Sequence, residues 1–414
     1  MTKTAMDITD DMEQLPIKTG WRVYVEQMGV GIYANETRMV MEAICNGASA
    51  GMDPHNPKWD PERAATVRIW FEKNPVLAPD GDVLCIADNG CGFTDWRLKR
   101  FQRMGGEDEQ PGFGNFGNRS RNRMGRFAYL SLNSRVLALR GRKTVTPDEL
   151  KAGFVIFTRT TPKGPVTRLQ VSLNLLNESR AAGVRHGITP DDPELGSCRG
   201  IEGTFSVVMI PYPTVTAAKL RNELPTYLPR KRDRLLPLFI EGERLVPPPL
   251  PGNCKPLGQA PNDIEVYLER RRNDAEDNAV WLCDADSGFP VADISQLGKK
   301  EFVHLCRGRG FVYARDLLAS QDTGRNTIRG EYWRTAAGRQ VLDLVQHPHM
   351  SQFTDEVLGE RSVRERGTDK LMDDIQNGLA EVFGPPKQSE RQPVPEAGPG
   401  GESKPPKERP PRDG

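Results

Sequence analysis

The sequence predicts a fold of mixed helices and strands. Between Trp21 and about Pro248, short apolar runs rich in Val, Ile, Leu and Phe alternate with clusters of turn residues, a pattern typical of strands joined by turns. Residues 36–49 instead carry apolar side chains at helical spacing. A proline cluster at 247–251 ends this region and indicates a linker to a second folded region.

The individual elements follow in chain order. Apolar runs predict strands at 66–71, 83–87, 135–139, 154–158, 168–173 and 204–210. Apolar periodicity predicts helices at 36–49, 217–224 and 334–346. Strand-like runs in the second region are IEVYLER, VWLCD and FVHLCRGRGFVYARDLL. We expect a flexible N-terminus at 1–20, a first domain at 21–248, a second at 255–383 and a Pro- and Gly-rich tail at 384–414. The tail has hardly an aliphatic residue, so we expect disorder there.

The composition excludes several classes of function. The 57 Lys and Arg residues balance 56 Asp and Glu residues, so no overall charge favours nucleic acid or an anionic membrane. No apolar run approaches the roughly 18 residues of a membrane helix, and the N-terminal residues contain no signal-peptide core. The 7 cysteines form no CxxC pair, which disfavours zinc and indicates reduced thiols. We therefore expect a cytoplasmic protein with no membrane partner.

The segment 38–49, RMVMEAICNGAS, contains the first candidate site residues. Glu42 and Asn46 are four residues apart, so they share one face of a helix whose neighbouring positions are apolar. An amide oxygen is a hard ligand for Mg²⁺, and a carboxylate can orient or deprotonate water. The same spacing is also typical of an ordinary solvated helix face.

A second candidate segment is IADNGCGFT at 86–94. A carboxylate held at a strand end, here Asp88, can accept a hydrogen bond from an exocyclic amine such as adenine N6. Gly90 and Gly92 would let the backbone approach a flat ring closely. The Asn-Gly dipeptide is equally typical of a plain hairpin turn.

Two further segments complete the pattern. Residues 104–132 combine six glycines with four arginines and end in an apolar, helix-like run. Free N–H groups at a helix N-terminus and arginine donors suit a phosphate, although a mobile surface loop has a similar composition. Gly203-Thr204 opens the last predicted strand of the first region, where the Thr204 hydroxyl could support a contact between Asp88 and adenine.

In this order, the four segments resemble the motifs of the Bergerat-fold ATPases. This GHKL superfamily includes gyrase B, the ninety-kilodalton heat-shock chaperones, histidine kinases, MutL and the MORC proteins. MEAICN resembles the first motif, IADNGCGF the second, RMGRFAYLSLNSRV the phosphate loop with its helix, and Gly203-Thr204 the last. The resemblance implies an α+β fold with helices on a mixed, mostly antiparallel sheet, and a lid at 105–123. A smaller α/β domain resembling the family's transducer would follow.

The resemblance also implies roles for individual residues. Glu42 would be the catalytic base, Asn46 the ligand of Mg²⁺ and Asp88 the residue that reads adenine. The other ATP-binding residues would be Gly90, Gly92, Phe93, Met124, Gly125, Arg126, Phe127 and Thr204, beside Asn46 and Asp88. Two positions depart from the family pattern: Ser49 replaces a usually acidic residue, and Asn122 replaces a phosphate-loop glycine. No residue of the second region matches the basic residue that reaches the γ-phosphate in those families.

The implied function is Mg²⁺-dependent ATP hydrolysis. Bound nucleotide would close the lid and promote homodimerisation, and the protein would act on a macromolecular client. One alternative is histidine-kinase-like phosphotransfer, although none of the 5 histidines precedes the 38–49 segment. Another is a switch that binds ATP without hydrolysing it, which the departures at Ser49 and Asn122 keep open. The client could be a protein or a nucleic acid. The basic clusters at 230–234 and 269–272 are typical of solvated faces as well as of phosphate contacts.

Overall fold

A computed structural model describes residues 20–30, 35–50, 65–94, 98, 101, 125–178, 180–189, 191–231, 235–257, 264–271, 279–285, 288–315, 317 and 328–358. Several predicted features lie outside these residues: the lid at 105–123 with Asn122, then Met124, and the tail at 384–414. So does most of the predicted N-terminal segment 1–20.

The first sheet has eight strands in the order β5-β4-β3-β6-β2-β1-β7-β8. The strands are β1 Val67–Glu72, β2 Val83–Asp88, β3 Gly153–Arg159, β4 Val166–Ser172, β5 Gly183–Ile188, β6 Phe205–Pro211, β7 Leu238–Ile240 and β8 Glu243–Arg244. Among the described strands of this sheet, β1 and β7 pair in parallel and the other neighbouring pairs are antiparallel. The predicted α+β fold with a mixed, mostly antiparallel sheet is confirmed.

Helices cover one face of this sheet. They are α1 Glu36–Ser49, α2 Gly125–Ser131, α3 Ser134–Leu137, α4 Leu173–Asn177 and α5 Ala217–Tyr227, preceded by a π-helix at Val23–Val30. Helix α1 starts where the Asn35 side chain accepts a hydrogen bond from the Arg38 N–H. Its residues Val40, Ile44 and Ala48 recur every fourth position and are fully buried, which explains why this segment is a helix packed on a sheet.

The two faces of the first sheet have separate cores. On β2, Leu84 and Ile86 face the helices, whereas Val83, Cys85 and Ala87 face the opposite side. A segment of 3₁₀-helix, Pro193–Gly200, contributes buried side chains to that second core. Because both faces are covered, the central strands are continuously apolar rather than alternating.

The second sheet has five strands in the order β12-β11-β13-β10-β9. They are β9 Cys254–Leu257, β10 Ile264–Arg270, β11 Val280–Asp284, β12 Pro290–Asp293 and β13 Gly308–Ala314. One face packs on α6 Ala336–Gln346 and α7 Pro348–Leu358, and the other carries Trp281, Phe311 and Tyr313. Further 3₁₀ turns are Glu149–Lys151, Ile294–Leu297, Lys300–Phe302, Leu305–Arg307 and Tyr332–Arg334. Among the described residues, no helix has the length and apolarity required to cross a bilayer.

Two predicted strands differ in type from the structure. Among the described residues of the run FVHLCRGRGFVYARDLL, only Gly308–Ala314 is a strand, and Lys300–Phe302 and Leu305–Arg307 form 3₁₀ turns before it. Residues 135–139 were expected to form a strand, but α3 occupies Ser134–Leu137. The Asn133 side chain accepts hydrogen bonds from the N–H groups of Arg135 and Val136, and this cap starts a helix at a sequence whose apolar content alone favours a strand. Strand β5 has no apolar run that would predict it, because four of its six residues are exposed.

Candidate functional site

The first component of the candidate site is the C-terminal half of α1. Glu42 and Asn46 lie on successive turns; Glu42 is 4% exposed, whereas Asn46 is exposed. Gly47 follows, and a Cβ atom at this position would lie 3.1 Å from Cβ of Asp88 and 3.2 Å from Cγ2 of Val67. The missing side chain therefore lets α1 rest on the end of β2, next to Asp88.

The second component is a row of polar residues across three strands. Asp88, the last residue of β2, lies opposite Ser206 of β6, which in turn lies opposite Thr158 of β3. The residues two positions earlier or later on these strands belong to the core beneath the helices, so the row faces the helices as well. Ser206 and Thr158 are 5% and 1% exposed. A polar line thus runs from Asp88 into an apolar face.

The turn after Asp88 is anchored on two sides. The Cys91 N–H donates to the carbonyl oxygen of Ala50 at 3.0 Å, at the end of α1. The Phe93 N–H donates to the Thr158 hydroxyl at 2.8 Å, and that hydroxyl lies 3.1 Å from the carbonyl oxygen of Phe205. The turn is therefore tied both to the helix that carries Glu42 and to the central strands.

Gly90 and Gly92 both have structural reasons to be glycine. The Gly90 N–H donates to Oδ1 of Asp88 at 2.9 Å, and a Cβ atom at Gly90 would lie 2.3 Å from Cβ of Ala50. Gly92 has a φ of +71°, and a Cβ atom there would lie 2.9 Å from Oγ1 of Thr158. These contacts show why the DNGCG turn tolerates no larger residue at either position.

The register of β6 decides which hydroxyl lies opposite Asp88, a position expected for Thr204. The residue opposite Asp88 is Ser206, whereas Thr204 lies just before the strand. Arg159 fixes this approach to β6, because its Nε donates to the Gly203 carbonyl oxygen at 2.6 Å. The hydroxyl opposite Asp88 therefore belongs to Ser206, because the register pairs these two residues and Thr204 lies before the first paired residue of β6.

The described part of helix α2 runs over Gly125–Ser131, so the predicted site residues Gly125, Arg126 and Phe127 lie in its first described turn. Phe127 is fully buried, and its ring stacks on Tyr24 of the π-helix with centroids 4.8 Å apart. Of the predicted ATP-binding residues, Phe127 thus places its side chain in the core, so only its backbone could face a nucleotide.

Tyr129, also on α2, contacts the candidate metal ligand. Asn46 Nδ2 donates to the Tyr129 hydroxyl at 3.1 Å. Burial raises the pKa of the Tyr129 phenol, against a lowering effect of the bond with Asn46, so the hydroxyl stays protonated. Tyr129, Thr158 and Ser206 were not predicted as site residues. The available signal was a hydroxyl within an otherwise apolar segment, which is also common in ordinary cores.

The side chains at this site fit Mg²⁺ only as part of a nucleotide complex. Within the described ranges there is no group of three or more His, Cys, Asp and Glu side chains that could hold a metal ion. Mg²⁺ is commonly held by one or two protein oxygens together with phosphate oxygens and water. The exposed carboxamide of Asn46 suits that mode of binding.

The arrangement brings together a shielded carboxylate, an exposed carboxamide and a carboxylate at a strand end. Glu42 and Asn46 come from α1, and Asp88 from β2, at the edge of one helix-covered sheet face. Such a set can recognise a ring amine, supply one ligand to a phosphate-bound cation and orient a water molecule.

No protein-family model matches the chain, and no curated protein matches it in sequence. Among solved structures, the chain is similar to the ATPase domain of MutL from Aquifex aeolicus complexed with ADP. The TM-score is 0.34 and the sequence identity 12%, over 75% of this chain and 95% of that one.

Proposed function

We propose that this chain binds ATP together with Mg²⁺ and hydrolyses it to ADP and phosphate. The observation that carries the proposal is the junction of α1 with the turn after β2. Gly47 rests on Asp88, and the Cys91 N–H bonds to Ala50. This junction joins MEAICN to IADNGCGF, the two segments with the most specific resemblance to Bergerat-fold motifs.

In this proposal, the turn after β2 binds the adenine ring of ATP. Asp88 accepts a hydrogen bond from the exocyclic amine of adenine, and Gly90 and Gly92 let the ring approach the backbone. The bonds of Cys91 and Phe93 to the helix and to the strands support this role, because they hold the turn in place before nucleotide arrives.

In this proposal, residues of α1 and α2 carry out hydrolysis. Glu42 orients a water molecule and takes its proton as the oxygen attacks the γ-phosphorus and the bond to the bridging oxygen breaks. Asn46 would supply a carboxamide oxygen to Mg²⁺, which when bound would offset charge on the phosphate oxygens. Backbone N–H groups at Gly125 and Arg126, together with the predicted lid at 105–123 and Met124, would bind the phosphates.

Calorimetric titration and phosphate release test these roles. Asp88→Asn should weaken ATP binding roughly 10- to 100-fold, as expected for loss of a hydrogen bond to a charged group. Glu42→Gln should keep ATP affinity but lower phosphate release by about 10²- to 10⁴-fold. Glu36→Gln, a carboxylate at the other end of α1, is the matched control and should retain turnover. Undiminished phosphate release by Glu42→Gln would refute its assignment as base.

The same experiments separate the alternatives. ATP binding by the unaltered chain without phosphate release would identify a switch that does not hydrolyse nucleotide. An acid-labile phosphoprotein formed from labelled ATP would identify phosphotransfer. Failure of the unaltered chain to bind ATP would overturn the proposal as a whole.

We further propose that residues 21–248 act as the ATPase domain and that residues 255–383 act as a transducer-like domain. Nucleotide binding to the first domain closes the lid and promotes homodimerisation. Arg38 of α1 supports communication between the two regions, because its guanidinium lies 5.6 Å from the ring centre of Trp281 on β11. Light scattering with a non-hydrolysable ATP analogue tests dimerisation. The mass should double with the analogue, and an unchanged mass would favour a monomeric protein.

A further inference from the structure

The chain that leaves α5 lies across one face of the second sheet. Tyr227, the last residue of α5, meets Trp281 of β11 edge to face, with ring centres 5.8 Å apart. The Arg230 guanidinium lies 4.5 Å from the ring centre of Phe311 on β13. Because β11 and β13 are neighbouring strands, residues 227–231, here called the bridging segment, pass from one strand of this sheet to the next.

Lys231 attaches the far end of the bridging segment. Its Nζ lies 4.3 Å from the ring centre of Tyr313 on β13 and 2.8 Å from Oε2 of Glu265 on β10. The Lys231 side chain is 17% exposed, so salt screens this ion pair less than a pair at the open surface. Aromatic rings, cations and one shielded ion pair thus hold the bridging segment on the second sheet.

Tyr227 also holds the start of α1. Asn35 is the N-cap residue of this helix, and its Oδ1 accepts a hydrogen bond from the Arg38 N–H at 2.9 Å. A backbone N–H can only donate, so this bond identifies the oxygen branch of the carboxamide and leaves the NH₂ branch for the Tyr227 hydroxyl, at 3.2 Å. Tyr227 therefore contacts α1 through its hydroxyl and the second sheet through its ring.

The part of α1 that Tyr227 contacts is continuous with the side that carries Glu42. Arg38 and Glu42 are four residues apart and share one side of the helix, and the Arg38 guanidinium lies 5.1 Å from the Tyr227 ring centre. The turn after β2 has its own anchors, on Ala50 at the other end of α1 and on Thr158 of β3. A shift in the first turn of α1 would therefore affect Glu42 more than the turn that would bind adenine.

We propose that Tyr227 is a positioning residue that makes the alignment of Glu42 depend on the second sheet. This inference rests on the proposed function and deepens it, because it names the contact through which the second region regulates hydrolysis. With the contact intact, the first turn of α1 is fixed and Glu42 is aligned with the attacking water. When the second sheet shifts, ATP still binds but hydrolysis slows.

Steady-state hydrolysis and calorimetry of the full chain separate these two effects. Tyr227→Phe keeps the ring and removes the hydroxyl, so kcat should fall about 3- to 10-fold, the equivalent of one hydrogen bond. The Kd of ATP should change by less than about 2-fold. An unchanged kcat would overturn the proposal, and so would an equal loss in kcat and in affinity, because general loosening of the fold affects both.

Tyr313→Phe is the matched control. Tyr313 is buried on the same face of the second sheet, and its hydroxyl has no hydrogen-bond partner among the described residues. Removing this hydroxyl alters the same face without touching α1, so kcat should stay within about 2-fold of the unaltered value. A loss of kcat equal to that of Tyr227→Phe would show that the bond to Asn35 is not the cause.

Trp281→Leu tests whether the second sheet takes part. This change removes the ring that packs on Tyr227 and should lower kcat by about 3-fold in the unaltered chain. Once Tyr227→Phe is present, the same change should have a clearly smaller effect, since both substitutions interrupt one path. Effects that simply multiply in the double variant would show that the two residues act independently and would overturn the link.

Hydrogen exchange tests the link without ATP. The N–H groups of Arg38 and Met39 both bond to Asn35, through its side chain and its carbonyl oxygen. These two amides should exchange faster in Trp281→Leu than in the unaltered chain, and equal rates would overturn the inference. If the unaltered chain hydrolyses ATP but no variant of Tyr227 or Trp281 changes kcat, only the role of Tyr227 is wrong. If the unaltered chain does not hydrolyse ATP, the proposed function itself fails and the inference falls with it.

Discussion

At the scale of single residues, Thr158, which no motif selects, connects the turn after Asp88 to strand β6. Its hydroxyl accepts from the Phe93 N–H, lies 3.1 Å from the Phe205 carbonyl oxygen and 3.4 Å from the Ser206 hydroxyl. Thr158→Val keeps the shape but removes these bonds, so we expect unfolding to become easier by about 1–3 kcal/mol. ATP affinity should fall as well, because the turn after Asp88 loses one anchor.

Thr158→Ser is the control for that prediction, since it retains the hydroxyl and removes only a methyl group. Urea unfolding and ATP titration of both variants provide the comparison. Equal losses in the valine and serine variants would show that the methyl contact matters and that the hydrogen bonds do not.

Cys91 makes the turn after β2 accessible to chemical labelling. It is exposed, whereas Cys45, Cys85 and Cys198 are buried. Burial raises the pKa of Cys198 to about 12, which keeps that thiol unreactive at neutral pH. Among the cysteines whose burial the structure describes, we expect iodoacetamide to label Cys91 first, and we expect ATP with Mg²⁺ to slow this labelling. Mass spectrometry of the labelled peptides measures both rates, with the half-buried Cys306 of the second region as the internal reference. Unchanged labelling of Cys91 at saturating ATP would contradict binding at this turn.

At the scale of elements, α1 is attached to α5 at its N-terminal end. Lys219 Nζ lies 2.7 Å from Oε2 of Glu36, and Asn35 Nδ2 donates to the Tyr227 hydroxyl at 3.2 Å. The hydrogen bond from Lys219 lowers the pKa of Glu36 below its usual value of 4.5, and the same bond raises the pKa of Lys219. The two helices are thus joined at the end of α1 opposite to Asn46.

The pH dependence of this ion pair follows from the direction of the two shifts. The contribution of Glu36 is present above about pH 4.5 and is lost as the pH falls through its lowered pKa. Lys219→Met should therefore lower the free energy of unfolding at pH 7 by less than about 1 kcal/mol, because both side chains are about one-third exposed. In urea unfolding, this difference should shrink toward zero at acidic pH. Lys73→Met removes a more exposed pair with Asp82 and should have a smaller effect at pH 7.

At the scale of the whole molecule, Arg38 links the helix of the candidate site to the second sheet. Its guanidinium lies 5.1 Å from the ring centre of Tyr227 and 5.6 Å from that of Trp281, and the two rings meet edge to face. Arg38 is one helical turn before Glu42, so a movement of the second sheet would shift the part of α1 that carries Glu42.

A double-mutant cycle measures this link. Arg38→Met and Trp281→Leu should be non-additive in urea unfolding, with a coupling energy of about 0.5–2 kcal/mol. Arg38→Met combined with Trp333→Leu is the control. Trp333 belongs to the core on the opposite face of the second sheet, so the two effects should add. Additivity in both pairs would show that Arg38 and Trp281 do not interact in solution.

Interactions between residues close in sequence explain the features that can be predicted from one sequence. The helix at 36–49 follows from apolar side chains at every fourth position, and the strand before Asp88 from a run of β-prone residues. The glycines of the DNGCG turn have the close contacts that their positions suggest. These properties depend on neighbours within a few residues, so one sequence is sufficient to predict them.

The way in which distant segments meet depends on packing across the whole fold. The positions of Thr158 and Ser206 beside Asp88 depend on the register between β3, β6 and β2, and shifting a strand by one residue would turn the opposite set of side chains toward the helices. The contact of Tyr129 with Asn46 depends on the packing of two helices whose partners are 83 positions apart. Registers and helix contacts arise from the summed burial of many side chains, and no short motif encodes them.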